Sequence, residues 1–307
     1  MSIVVTGGAG FIGANLCRRL CDGGERVVAL DDLSTGNLDN LRDVDVAFEA
    51  GSILDPTALD RVMRDATAVV HLAARPSVPR SIVDPMASHV ANATGTVEVL
   101  EAARRAGNLH VIVASSSSVY GANPALPKRE DLATMPLSPY AASKLATESY
   151  ALAYQHSFGL PALAFRFFNV FGPLQAAGHA YAAVVPAFVS AAMEGRPLTV
   201  HGDGKQSRDF TYVDTVTEVI ADAIARGVTS TTPVNLAFGT RTDLLSLIAE
   251  LETILDVKVT VEHTETRAGD VKHSQADSTR LQELFPDVVP AALPDALRAT
   301  VDWFRAQ

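Results

Sequence analysis

Cysteine is almost absent from this sequence. Cys17 and Cys21 are the only two among 307 residues, and they stand four apart in NLCRRLC on a predicted helix. They form no CxxC pair and have no His cluster nearby, so neither a disulfide framework nor a metal centre is expected. They read as two small apolar helix residues in a reducing cytoplasm. Positive charge is also scarce: 25 Lys and Arg against 35 Asp and Glu leave a formal net charge of -10. That sign argues against nucleic-acid binding, which relies on Lys and Arg to neutralise phosphate. It does not exclude an anionic small ligand held by a few placed arginines. No stretch reaches the roughly 18 uninterrupted apolar residues that suggest a membrane span. The opening MSIVVTGG lacks a basic n-region, a long apolar h-region and a cleavage site, and reads as a first strand rather than a signal peptide. Internal repeats and low-complexity segments are missing. What is there, 48% hydrophobic and 20% charged residues, is the composition of an ordinary globular enzyme.

Short apolar runs alternate with helical patterns. IVV (3–5), RVVAL (26–30), DVAF (45–48), AVVHLA (68–73), LHVIVASS (109–116) and LPALAFRF (160–167) read as strands. Between them 14–24, 56–64, one long helix over about 83–106, and 140–159 read as helices, Gly107 and Gly159 stopping the last two. This rhythm predicts an α/β fold, a Rossmann-like doubly wound parallel sheet covered on both faces. From about residue 168 Gly, Pro and polar residues interrupt it. We therefore expect a nucleotide-binding domain over 1–167 and a smaller, mainly substrate-binding C-terminal lobe over 168–307. Segments near 211–239, ending in the strand-like VNLAFG, are expected to return to the first domain.

TGGAGFIG places Gly7, Gly10 and Gly13 between a strand and a helix. Glycines there permit a tight turn and close backbone approach to a pyrophosphate, and the helix supplies free N–H groups. The second strand ends in Asp31-Asp32, carboxylates suited to ribose hydroxyls and repulsive to a 2′-phosphate, which favours NAD over NADP. In YAASK, Tyr140 and Lys144 lie four apart on one helix face. A nearby ammonium favours phenolate, making Tyr140 a candidate general base. SSSSVYG (115–121) sets a row of hydroxyls at a strand end.

These stretches, with LDDLSTG, HLAA, NATGTVEVLEAA, RFFNVFGP, GDGKQSRDFTYVDT and RAGDVKHSQAD, run from residue 6 to 277. Together they resemble the extended short-chain dehydrogenase/reductases, and among them the NAD-dependent nucleotide-sugar epimerase/dehydratase family. The resemblance implies NAD held by Gly7, Gly10, Phe11, Ile12, Gly13, Asp31, Asp32, Ser34, Gly36, Ser52, Ile53, Leu72, Ala73, Ala74, Asn92, Ser115, Tyr140, Lys144 and Phe167. Ser52 departs from the family's usual Asp beside adenine, and Pro76 stands where some epimerases carry a phosphate-binding lysine. The catalytic set it implies is Ser116, Tyr140 and Lys144: Tyr140 takes the proton of the sugar 4-hydroxyl and Ser116 hydrogen-bonds the 4-oxygen. No metal is implied.

The resemblance also implies a UDP-sugar partner. Asn169 and Arg208 would bind its diphosphate together with Arg267, Asp270 the uridine ribose, and Thr199 and His201 would lie against uracil. Ser77, Ser116, Ser117, Tyr140, Ala183 and Val184 would complete the substrate site. Family dehydratases carry Asp and Glu where this chain has Ser117 and Ser118, and decarboxylases carry Glu at the second position. A hydroxyl cannot replace those acids near neutral pH, so 4-epimerisation is the expected outcome. Ser274 replaces a bulky Tyr of strict glucose/galactose epimerases, which predicts UDP-glucose/UDP-galactose with room for N-acetylhexosamines. The alternative substrate is UDP-glucuronate, disfavoured by Asn169 and by the lack of Arg in LQAAGHAYAA. A remote alternative is a non-catalytic NAD-binding regulator. The family also implies a cytoplasmic homodimer pairing helices near 91–105 and 144–157.

Overall fold

The structure is a computed structural model that describes residues 1–178, 182–265 and 272–307. The strands are β1 (Ser2–Thr6), β2 (Val27–Asp31), β3 (Ala47–Ala50), β4 (Ala66–His71), β5 (His110–Ser116) and β6 (Ala162–Phe167). Short strands β7 (Val170–Phe171), β8 (Leu198–His201), β9 (Ser207–Arg208) and β10 (Thr211–Tyr212) precede β11 (Val234–Leu236), and β12 (Thr242–Asp243) and β13 (Val261–Thr264) follow it. The helices are α1 (Phe11–Asp22), α2 (Pro56–Met63), α3 (Val78–Val83), α4 (Pro85–His89), α5 (Gly95–Arg105), α6 (Pro139–Phe158), α7 (Val184–Met193), α8 (Val213–Arg226), α9 (Leu244–Leu255), α10 (Thr279–Leu284) and α11 (Leu293–Arg305).

Seven strands form one sheet in the order β11-β6-β5-β4-β1-β2-β3. Every neighbouring pair is parallel. β1 is buried along its whole length and β5 through its five central residues, as the unbroken apolar runs require of a sheet covered on both faces. Leu16, Cys17 and Leu20 of α1 join Val216, Val219 and Ile220 of α8 on one face. Leu59 and Met63 of α2 join Val99, Leu100 and Ala103 of α5 and Ala151 of α6 on the other. A separate apolar cluster gathers Phe188, Val189, Val200, Leu247, Leu251, Leu297 and Val301 from α7, β8, α9 and α11. β11 reaches the main sheet after that lobe has begun, pairing with β6 through Val234 to Leu236. The strand order reverses between β1 and β4. In an open parallel sheet the carboxyl ends at that switch point form the ligand crevice.

The long helix expected over 83–106 is instead three pieces and a bulge. Pro85 cannot continue α3, and Asp84 caps α4 by accepting from Ala87 N. Residues 90–94 then make a π turn before α5. α6 matches expectation closely: Ser138 accepts from Ala141 N, Pro139 occupies the first turn, and Gly159 ends it with φ +69°. Among the described residues no helix is long and apolar enough to cross a membrane, and no group of His, Cys, Asp or Glu is placed to hold a metal.

His71, at the end of β4, ties these layers together. Its Nδ1 shares a 2.8 Å hydrogen bond with Thr6 Oγ1 and its Nε2 a 3.1 Å bond with Thr96 Oγ1. Thr96 donates to Asn92 O of the π turn and lies 3.1 Å from Thr147 Oγ1 of α6. Burial, then the positive charge of Lys144, lowers the His71 pKa from 6.5 to about 3. The unfolded chain therefore takes up a proton near the ordinary histidine value while the folded imidazole stays neutral. The stability this arrangement supplies is complete above about pH 6.5 and is lost as pH falls towards 3. The destabilisation caused by His71→Gln, measured by urea unfolding against the wild type, is expected to shrink by about 2 kcal/mol between about pH 7.5 and 5. A pH-independent difference would contradict the assignment.

Candidate active site

At the switch point lies a cleft of about 1660 Å³. Its floor begins with the glycine turn. Gly7 has φ +71°, and a methyl on it would lie 2.7 Å from Ala73 N of the β4 turn. A methyl on Gly13 would lie 2.1 Å from Gly7 O. Only glycine lets the turn fold under the helix so closely. Gly10 caps α1 without a side-chain hydrogen bond, leaving the first-turn N–H groups of α1 for a ligand.

Asp31 secures the turn. Its carboxylate accepts from Ala9 N at 3.0 Å and from Leu33 N at 2.8 Å. Burial raises its pKa, with the N–H bonds from Leu33 and Ala9 opposing. Asp32 is exposed and accepts from Ser34 N and Ser34 Oγ at 2.9 and 2.5 Å. A pyrophosphate cradle beside a carboxylate at the end of β2 fits a dinucleotide such as NAD.

The opposite wall carries the reactive side chains. Lys144 is buried on α6 and its Nζ donates to Ala114 O at 2.8 Å. Burial lowers its pKa to about 8, which leaves it largely cationic at neutral pH. Tyr140, one turn earlier, is half-buried; burial raises its pKa and a hydrogen bond from Ser116 opposes the rise. Ser116 lies at the end of β5 and caps the following 3-10 turn, accepting from Ser118 N at 3.2 Å. Ser118 Oγ donates to Ser116 Oγ at 2.9 Å.

Behind this wall stands a buried ion pair. Arg166 of β6 donates to both oxygens of Glu148 on α6, at 2.7 and 3.0 Å, and both side chains are 4% exposed. Ser115 Oγ donates to Glu148 at 2.7 Å, with Lys144 O a second acceptor within reach at 3.2 Å. Glu148 thus ties β5, β6 and α6 together one turn beyond Lys144.

Most of the expected cofactor residues line the cleft: Gly7, Gly10, Phe11, Ile12, Gly13, Asp31, Asp32, Ser34, Ser52, Ile53, Leu72, Ala73, Ala74, Ser115, Tyr140, Lys144 and Phe167. Of the expected substrate residues, Ser77, Ser116, Asn169 and Ala183 line it too. Three expected contacts stand behind the wall instead. Gly36 packs on the Asp31 carboxylate, where a methyl would sit 2.9 Å from both oxygens. Asn92 holds the backbone of Arg75, accepting from its N at 2.7 Å, and donates to Ser143 Oγ at 2.9 Å. Ser117 begins the 3-10 turn and lies outside the lining residues.

A second cavity of about 270 Å³ adjoins the cleft and shares Asn169, Val170 and Ala183 with it. Val184, Thr199, His201 and Arg208 line this smaller space rather than the cleft. His201 Nδ1 shares a 2.7 Å bond with Thr264 Oγ1. Arg267 and Asp270 lie outside the described residues. Ser274 donates its N–H to Ser207 O at 3.0 Å and, among the described residues, lies at the wall of neither cavity. The sequence reading missed Arg75, Arg80 and Gln175 on the cleft, and Trp303 and Gln307 from the far end of the chain. Arg80, in SVPRSI, could have been found from its nearness to Ser77. Nothing in the local sequence of α11 points to the cleft.

Comparison with known proteins matches residues 3–237 to the NAD dependent epimerase/dehydratase family. The chain is 37% identical over 313 residues to a UDP-glucose 4-epimerase of Mycolicibacterium smegmatis, covering 99% of each. A solved UDP-N-acetylglucosamine 4-epimerase of Methanobrevibacter ruminantium, in complex with UDP-N-acetylmuramic acid, superposes with a TM-score of 0.94 at 35% identity, covering 100% of this chain and 98% of that one. A UDP-glucuronic acid 4-epimerase of Bacillus cereus, solved with UDP-glucuronic acid and NAD, gives 0.89 at 32% identity, covering 100% and 99%.

Proposed function

The chain belongs to the NAD-dependent epimerase/dehydratase family, and from that premise we propose that it is a UDP-sugar 4-epimerase. Its proposed substrates are UDP-glucose and UDP-galactose, with UDP-N-acetylhexosamines also accepted. The observation that carries the reading is the set of side chains on one wall of the cleft: Tyr140, Lys144 one turn later and Ser116, whose hydroxyl opposes the rise of the Tyr140 pKa, with a hydroxyl at Ser118 where eliminating enzymes need an acid. Ser118 spends its proton on Ser116, and Ser117 lies off the cleft.

The glycine turn at Gly7, Gly10 and Gly13 and the carboxylates at the end of β2 would hold NAD, which would supply reversible hydride acceptance beside the sugar carbon. Tyr140 takes the proton of the 4-hydroxyl and Ser116 holds the 4-oxygen. Burial alone keeps the phenol protonated, so the base form depends on the positive charge of Lys144 and of the bound cofactor. The smaller cavity, with Asn169 and Arg208, grips the nucleoside diphosphate while the sugar turns its other face in the wider cleft. With no acid or base at 117 or 118, no water or carboxyl group leaves.

UDP-glucuronate is the second reading. The structural likeness to the Bacillus cereus enzyme favours it, and the absence of Arg from LQAAGHAYAA weighs against it. Incubating purified protein with UDP-glucose, UDP-N-acetylglucosamine and UDP-glucuronate separately, without added NAD, tests both. The 4-epimers of the first two are expected. Conversion of the uronate alone would select the second reading, and a product lacking water or carbon dioxide would overturn both.

The same reading pairs two copies across α5 and α6, the helices near 91–105 and 144–157, where Tyr150 of α6 is 44% exposed. Sedimentation at micromolar concentration should give twice the chain mass, and a monomer would remove this pairing.

A further inference from the structure

Asp209 is fully buried, immediately after Arg208 at the wall of the smaller cavity. Its Oδ2 accepts from Ala276 N at 3.0 Å and its Oδ1 from Thr240 Oγ1 at 2.9 Å. The backbone amides of Gly239 and Thr240 favour its charged form. Its own carbonyl accepts from Asn169 Nδ2 at 3.2 Å, and Asn169 O accepts from Thr211 N. One side chain thus gathers the turn after β11, the segment at Ala276 and the strand that carries Arg208, with Asn169 hanging from its backbone.

These partners of the carboxylate are uncharged. A donor on each oxygen matches an ionised carboxylate, whereas an amide would present one oxygen and turn its N–H group against N–H or O–H. Burial raises the Asp209 pKa to about 6 against the opposing hydrogen bonds from Ala276, Thr240 and Gly239. A group raised in this way favours folding most when protonated: its contribution is complete below the ordinary carboxylate value and is lost as pH rises through about 6. At neutral pH the charge is kept against stability, and what it braces is the wall bearing Asn169 and Arg208.

We propose that Asp209 is a positioning residue for the nucleotide end of the site. Its ionised carboxylate holds the wall that presents Asn169 and Arg208, and its protonation loosens that wall and weakens binding of a nucleoside diphosphate sugar. The inference rests on the UDP-sugar reading above. Among the described residues, the charged and titratable groups on the elements packed around it are Arg208 beside it, Arg241 after Thr240, Lys272, His273 and Asp277 on the segment of Ala276, and Lys128, bridged to Ala276. His273 and Arg241 both bond Ser207 Oγ, at 2.9 and 3.0 Å. His201 is the titratable group on the cavity wall itself.

The probe is UDP-glucose, whose phosphodiester groups do not titrate in this range, bound to the NAD-loaded protein and followed by calorimetry from about pH 5 to 8, with KM and kcat alongside. In the wild type, Kd and KM should rise about tenfold between pH 7.5 and 5, following the carboxyl near pH 6, while NAD stays bound. Asp209→Asn should bind about tenfold more weakly at pH 7.5 and show no inflection. Thr240→Val removes one donor, leaves the charge in place and should move the inflection to higher pH. It also serves if the first variant fails to fold. An inflection unchanged in either folded variant would assign it to His201 or His273 and overturn the proposal, as would a flat wild-type profile. A wild type that neither binds nor converts any UDP-sugar would sink the functional reading itself, and this inference with it.

Discussion

Tyr140→Phe is expected to lower kcat roughly 100- to 10,000-fold, the range that a positioned general base supplies. The substitution removes one oxygen from a half-buried ring at the end of α6 and leaves the Lys144–Ala114 and Ser115–Glu148 bonds in place. Retained NAD, measured after denaturing the purified protein, and an unchanged circular dichroism spectrum should accompany the loss. KM should change little, because in the proposed reading the nucleotide would be held by Asn169, Arg208 and the smaller cavity, away from Tyr140. A variant that loses less than tenfold would remove Tyr140 as the base. One that loses NAD would make the ring a cofactor support instead.

The largest expected stability effect lies behind the same wall. Glu148→Gln should destabilise the protein by about 3–5 kcal/mol, the range for leaving one member of a buried ion pair uncompensated. The variant keeps the shape of the side chain but leaves the Arg166 guanidinium without its anion, and Ser115 loses a charged acceptor. Arg166 also lies 4.8 Å from the Tyr120 ring centroid, and Tyr120 donates to Asn235 at 2.7 Å, so the strain spreads to β11. Combining Glu148→Leu with Arg166→Met should recover much of the loss, since apolar groups of similar volume replace such pairs at little net change. Denaturant midpoints of the single and double variants check this. A loss below about 1 kcal/mol in Glu148→Gln would show that the pair is not desolvated as its burial indicates.

How much of this was legible in the sequence depends on the range of the forces involved. TGGAGFIG and YAASK could be read because turn geometry and helix periodicity act over a few residues: the Gly13 contact with Gly7 and the shared face of Tyr140 and Lys144 are local facts. The three-way break at Pro85 and residues 90–94 was missed because apolar residues at helical spacing run through it. The bulge is set by long-range bonds, from Asn92 to Arg75 and Ser143 and from Thr96 to His71. The separation of Arg208, Thr199 and His201 into a second cavity depends on how β8, β9 and α7 pack, which no motif encodes. Trp303 and Gln307 reach the cleft only because α11 packs on α9 and α7. Asp209 stood in a recognisable stretch, QSRDF, beside the residue that drew attention. Its donors come from residues 239–240 and 276, far along the chain.

In the proposed reaction the hydride leaving the sugar's C4 is the one that returns to its other face. The most direct measurement is conversion of UDP-glucose carrying deuterium at C4, in ordinary water and without added NAD, read by mass spectrometry and proton NMR of the product. UDP-galactose that keeps the deuterium at C4 is expected. Deuterium lost to solvent, or found at another carbon, would contradict it.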